Sequence, residues 1–146
     1  MEIRQYAERI LRSPLIEDKL SDPGVVTDLR RNVGEPLPAY PARADSLALE
    51  VPAARRTPFP GDGQLEEPRT RGEVLHFFAN HELLALELMA LILLRFPQAP
   101  TSFRRGLVET MRDEQRHLSM YLERMSAFGV AFGDVSVNDF FWRTIA

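Results

Sequence analysis

Nine of the chain's 11 prolines lie in its first 70 residues, at positions 14, 23, 36, 38, 41, 52, 58, 60 and 68, and none lies between Pro68 and Pro97. Proline lacks a backbone N–H and clashes with the preceding helical turn, so it interrupts helix interiors and central strands alike. The first 70 residues therefore have room only for short elements, and a long helix can form only after them. One short helix is expected over residues 2–12, where Ile3, Tyr6, Ala7, Ile10 and Leu11 share a face before Ser13-Pro14 stops it. A second is expected over 25–31. The Pro36-x-Pro38-x-x-Pro41 and Pro58-x-Pro60-Gly61 stretches read as extended or turn segments, whereas Leu47, Leu49 and Val51 alternate like a strand. Such a segment is expected to wrap a helical core instead of folding alone; the alternative for residues 32–70 is disorder.

From Arg71 an apolar residue recurs every three or four positions, at Leu75, Phe78, Ala85, Met89, Ile92 and Phe96, which predicts a long helix with that stripe facing the core. Between Leu83 and Leu94 only Glu87 is polar, so this stretch needs covering on several sides. The link Pro97-Gln98-Ala99-Pro100 is short, Thr101 or Ser102 can cap a second long helix, and Gly129 ends it. Phe103, Leu107, Met111, Leu118, Tyr121, Met125 and Phe128 mark its buried stripe. A connection this short places the two helices antiparallel and side by side. The chain thus divides into an irregular wrap over 1–70 and a helical hairpin over 71–146. Asn138-Asp139 begins a further short helix holding Phe140, Phe141 and Trp142, three aromatics that need something to pack on.

Composition removes several function classes. With 146 residues and 45% of them hydrophobic, the chain can build the core of one domain. There is no cysteine, so disulfides, thiolate metal sites, iron-sulfur clusters and cysteine nucleophiles are excluded, and any metal must be held by nitrogen and oxygen. A formal net charge of −3 supplies no basic field, which disfavours a nucleic-acid partner. The 17 arginines against the single Lys19 reflect a GC-rich coding bias more simply than a selected surface. Met1-Glu2-Ile3-Arg4-Gln5 opens a charged amphipathic stretch, not the apolar core of a signal peptide, and the longest apolar run, Leu88 to Leu94, falls far short of the ~20 residues that span a bilayer. No membrane segment and a cytoplasmic location are expected.

Against this background Glu82 is out of place. Stepping by three and four from Leu75 passes through Phe78, Glu82, Ala85 and Met89, which puts a carboxylate in the apolar stripe. A carboxylate buried there must protonate, meet a cation or bind a metal. The second helix repeats the anomaly with Glu114 and His117 at i and i+3, ~60° apart around the axis. Counted from Ala99, Glu82 lies 17 residues before (99 − 82), and Glu114 and His117 lie 15 and 18 after (114 − 99, 117 − 99). At ~1.5 Å per residue the three stand within about one turn of one another. Glu87 fails this test, being about 140° around the axis from Glu82, and is expected to face another surface. A Glu on one helix with Glu-x-x-His on its neighbour is half of the ligand set of ferritin-like two-metal proteins, whose full set comes from four helices. Carboxylates bridge and balance two hard cations, and imidazole suits iron. The competing reading is a surface pairing of Glu114 with Arg112 or Arg116 and a His117 that fills a polar gap; it leaves Glu82 unexplained. His76 and His81 are expected at the surface or behind the ligands, Asp113 as an orienting or solvated acid, and Tyr121 as core.

The segments Asn80-His81-Glu82-Leu83-Leu84-Ala85-Leu86-Glu87-Leu88, Phe96-Pro97-Gln98-Ala99-Pro100, Phe103-Arg104-Arg105 and Asp113-Glu114-Gln115-Arg116-His117 resemble a bacterial ferritin-like family designated a domain of unknown function. That family is distantly akin to rubrerythrins and to the ferritin-like tRNA hydroxylase. The resemblance extends over residues 71–143 and, less specifically, to the proline-rich leader. It implies an all-α, ferritin-like hairpin, half of a four-helix bundle, with the rest of the site on a second helix pair bearing its own Glu and Glu-x-x-His.

The expected metal ligands are therefore Glu82, Glu114 and His117, the expected cofactor is iron or manganese, and the expected partner is a second copy of the chain or a missing C-terminal half. The expected function is a di-iron or di-manganese oxidoreductase or hydroxylase. The alternative is a non-catalytic metal-sequestering or helical assembly module. A tRNA-modifying activity follows only from the distant kinship, and no basic, aromatic-studded surface supports it.

Overall fold

The computed structural model describes residues 1–32, 34–49 and 57–146, which form helices and connecting turns with no strand among them. The order is α1 (Ile3–Arg12), α2 (Ile16–Leu20), a 3-10 turn at Asp45–Leu47, a second at Asp62–Gln64, α3 (Pro68–Arg95), α4 (Thr101–Ala127) and α5 (Phe140–Ile145). The two long helices pack along their length as a hairpin. Pro68 sits at the first position of α3, where its missing N–H costs nothing, so the helix starts one turn before the expected Arg71.

The turn between α3 and α4 is held by two arginines. Arg104, fully buried, donates to the carbonyls of Leu93 (2.7 Å) and Phe96 (3.2 Å) and to the carboxylate of Asp28 (3.0 Å). Pro97 has no N–H to offer the Leu93 carbonyl four residues before it, and the guanidinium satisfies that carbonyl. Arg31 reaches the carbonyls of Pro97 and Ala99 from the wrap and pairs with the same Asp28.

The described part of the wrap lies on the opposite side of α3 from Glu82. The α1 face Ile3, Tyr6, Ala7, Ile10 and Leu11 is buried against α3 together with Leu83, Leu84, Leu86, Leu91 and Leu94. At the centre of this contact Glu87 is wholly buried between Lys19 Nζ (2.8 Å) and the Arg43 guanidinium, which grips both carboxylate oxygens (2.7 and 3.0 Å). Arg43 also donates to Asn80 Oδ1 at 2.8 Å, and the Asn80 amide donates to the Asn138 carbonyl at 3.1 Å. Two segments far apart in sequence thus meet on one carboxylate, and Asn80 links a third, at Asn138, to the same arginine. Burial drives the Lys19 ammonium below its ordinary pKa, and the adjacent Glu87 charge works against that shift.

Several expectations are corrected. Residues 25–31 are not helical: the Leu29 and Arg30 amides donate to the Glu2 side chain (2.9 and 3.0 Å), and Thr27 pairs with the backbone of Met1 and Ile3, so those donors are spent on α1. The helix of this region is α2, just after Pro14. Leu47 and Leu49 are both buried but on a 3-10 turn and the backbone after it, not a strand; Val51 lies outside the described residues. The terminal aromatics find partners within the chain. Trp142 is buried, donates from Nε1 to the Ala39 carbonyl (2.8 Å) and stacks on Tyr40, while Phe141 packs edge-on against His81. Only Phe140 stays exposed.

The largest correction concerns α3. The stripe from Leu75 to Phe96 is not its most buried face: Phe78 and Phe96 are exposed, and Leu75, Ala85, Met89 and Ile92 are half-buried. The faces turned to α1 and to α4 are the closed ones. Phe103, exposed, and half-buried Leu107 and Tyr121 of α4 continue the open apolar surface. By length and composition α3 is apolar enough to cross a membrane, but 67% of its apolar window is buried within this fold, the environment of a core helix.

Removing the Glu87 charge leaves two buried cations without their counter-ion, a change that costs on the order of 3–5 kcal/mol. Urea unfolding of Glu87→Gln should show a loss of that size; a midpoint within error of the parent would contradict the role given to this carboxylate.

Candidate metal centre

Glu82 lies midway along α3, and Glu114 and His117 lie midway along α4, all on the open side of the hairpin. The structure brings the three together. His117 Nδ1 is 3.4 Å from Glu114 Oε2 and 3.8 Å from Glu82 Oε2, and one ligand atom from each residue fits within 4.8 Å of the others. Atoms bound about 2.0–2.2 Å from one first-row cation stand roughly 3–4 Å apart, so these separations suit a shared ion after small side-chain adjustments. The carboxylate side chains are 22% and 19% exposed and the imidazole 52%, so the ion would enter from the open face through His117.

Two features fit a cation to this cluster. Oε2 of Glu114 is buried and accepts no hydrogen bond, the 3.4 Å approach of His117 lacking the required alignment. An orphaned carboxylate oxygen aimed at an imidazole and a second carboxylate is the donor set of a hard to borderline divalent ion. Glu82 provides the second. Burial raises its carboxyl to about 8, and the neighbouring Glu114 carboxylate adds to the shift. The pair therefore holds a proton near neutral pH where a cation would otherwise bind.

The competing surface pairing is not formed. Arg116 pairs with Asp113, and Arg112 with Glu109 and Asp22, leaving Glu114 to the cluster. Asp113 is thereby a partner of Arg116 on the exposed side. Glu87, on the wrap side of α3, is separated from the centre as its phase requires. The other histidines do not join. His76 is buried, not at the surface: its Nε2 accepts the Gly133 N–H at 2.9 Å, its ring meets Phe132 edge-on, and burial lowers it to about 4, so it is a neutral fixture of the C-terminal segment. His81 sits between Phe77 and Phe141. Tyr121 is only partly core, stacking on Phe78 at the rim of a chamber beside the centre. Sequence reasoning passed over that chamber's other walls, Leu75, Met120 and Arg124, although Met120 and Arg124 follow His117 at i+3 and i+7 on the same helical face.

Because Glu82 has a raised pKa, the metal-free fold loses stability as pH rises from the ordinary carboxylate range through about 8, where ionisation sets two adjacent charges against each other. Metal binding must also displace that proton. Manganese(II) affinity, followed by titration calorimetry, should rise about tenfold between pH 7 and pH 9 and level off above. A flat profile across this range would show that Glu82 does not gate binding.

No curated protein and no solved structure matches the chain. One family model does, described as a protein of unknown function (DUF455), and it covers residues 4–146, wrap and hairpin together. The chain therefore belongs to the DUF455 family.

Proposed function

We propose that Glu82, Glu114 and His117 bind iron or manganese as half of a ferritin-like two-metal centre, and that the protein is a di-metal oxidoreductase or hydroxylase. The observation that carries this reading is the buried, unpartnered Glu114 Oε2 facing Glu82 and His117 at the middle of an apolar hairpin. In this arrangement the carboxylates balance the cation charge, the imidazole supplies the nitrogen ligand, and a covering helix pair over the open apolar stripe would keep water from the ligands. Iron or manganese bound there supplies redox chemistry that no side chain of the chain provides.

One hairpin offers two carboxylates and one imidazole, whereas the ferritin-like pattern uses four and two. The open face supports a second helix pair as the source of the rest, because Phe78 beside the centre and Phe96 and Phe103 near the helix connection are exposed along the hairpin. A second copy of this chain, related by a two-fold axis passing near Glu82, presents the same face and the same ligands. The alternative, a metal store without turnover, shares this site and differs only in reaction.

The test is to measure mass and metal content together on purified chain loaded with iron(II) or manganese(II), with Glu114→Ala and His117→Ala beside it. The expected result is a dimer with about two metals per pair, lost in both variants. A folded, monomeric chain that takes up no metal would overturn the reading. Oxygen consumption with the iron form separates the oxidoreductase from the store.

A further inference from the structure

Beside the centre, toward the N-terminal half of α3 and the C-terminal half of α4, a chamber of about 410 Å³ opens between Leu75, Glu82, His117, Met120, Tyr121 and Arg124. Resting on the reading of the centre as a metal site, we propose that this chamber is the substrate site and that it takes a small organic acid: an apolar body with one carboxylate.

The chamber's size lies within the range of small-molecule sites, roughly 300–1,000 Å³, and its walls have the usual composition, mostly apolar with few polar groups. Leu75 and Tyr121, whose ring stacks on Phe78, form the apolar side, and Met120, 67% exposed, is an adaptable side chain at the mouth. Glu82 and His117 close one end, so a molecule in the chamber lies directly against two of the three candidate ligands.

Arg124 sets the charge of the guest. Among the described residues it pairs with no carboxylate, whereas Arg112, Arg116 and Arg143 each have an acidic partner on a neighbouring turn. Its guanidinium lies over the Phe128 ring, 4.8 Å from the centroid, which steadies the plane without using an N–H. Arg124 lines the chamber seven residues beyond His117, about 10 Å along the axis, and its guanidinium stands at the Phe128 end, away from the ligand cluster. One planar fork with one positive charge matches one carboxylate. The remaining length, from Arg124 to the ligand cluster, is filled by the guest's apolar body.

Octanoate is a suitable probe, with acetate and octylammonium as controls for tail and charge, and methyl NMR of Met120 as the readout in metal-free and zinc(II)-loaded chain. Octanoate should shift the Met120 methyl saturably, acetate and octylammonium should not, and Arg124→Gln should weaken octanoate about tenfold while Arg124→Lys, which keeps the charge but loses the planar fork, recovers only part of the affinity. Equal binding of octanoate and octylammonium, an unaltered affinity in Arg124→Gln, or no shift because a second copy fills the chamber would each overturn the proposal. Metal uptake is read separately: a chain that binds zinc but not octanoate loses the substrate site alone. One that binds octanoate but no metal keeps the chamber and loses the metal centre.

Discussion

The carboxylate of Glu87, buried between Lys19 and Arg43, decides which way the hairpin faces. α3 is apolar nearly all round, so the hydrophobic effect alone does not say which of its sides the proline-rich wrap should cover. An ion-paired carboxylate does, because once Glu87 is buried it must have its cations, and both lie in the wrap. Five positions separate Glu82 from Glu87, about 140° around the axis, so covering one acid leaves the other on the open side. Asp28, Arg31 and Arg104 then pin the wrap to the helix connection and hold α3 and α4 level. The alignment of Glu82 with Glu114 and His117 depends on that level.

The open side is where the fold gives up stability. Two neighbouring carboxylates, one of them raised to about 8, repel once both are ionised, and a buried oxygen of Glu114 accepts no hydrogen bond. A purely structural hairpin gains nothing from this arrangement; alanine or leucine in place of Glu82 would extend the apolar stripe. A cation between the carboxylates reverses the sign of each term, turning repulsion into coordination and satisfying the orphaned oxygen. The exposed phenylalanines along the hairpin are unfavourable in the same sense for an isolated hairpin, and a covering helix pair would remove that cost as well.

Much of this was legible in the sequence, for identifiable reasons. Proline spacing placed the long helices, and counting from Ala99 placed the three ligand candidates at one height, because a straight helix converts residue number into distance. Membership of the unknown-function family was legible from the motifs of the hairpin. Periodicity did not reveal which apolar face of α3 would stay open, since both faces carry the same kind of residue and the choice is made by Lys19 and Arg43, 68 and 44 positions from Glu87. Nor did local pattern show that the amides of residues 29 and 30 would be drawn to Glu2, or that Trp142 would seat on Ala39 and Tyr40. These are long-range hydrogen bonds and ring contacts with no local signature.

Convergence of Glu82, Glu114 and His117 on one ion is the claim on which the rest turns. Anomalous diffraction from crystals of the chain equilibrated with manganese(II) at pH 8.5, above the Glu82 transition, reads it directly. The predicted result is a manganese peak within about 2.0–2.2 Å of an oxygen of each glutamate and a nitrogen of the histidine. A fully loaded crystal with its manganese elsewhere, or with these three side chains turned apart, would contradict it.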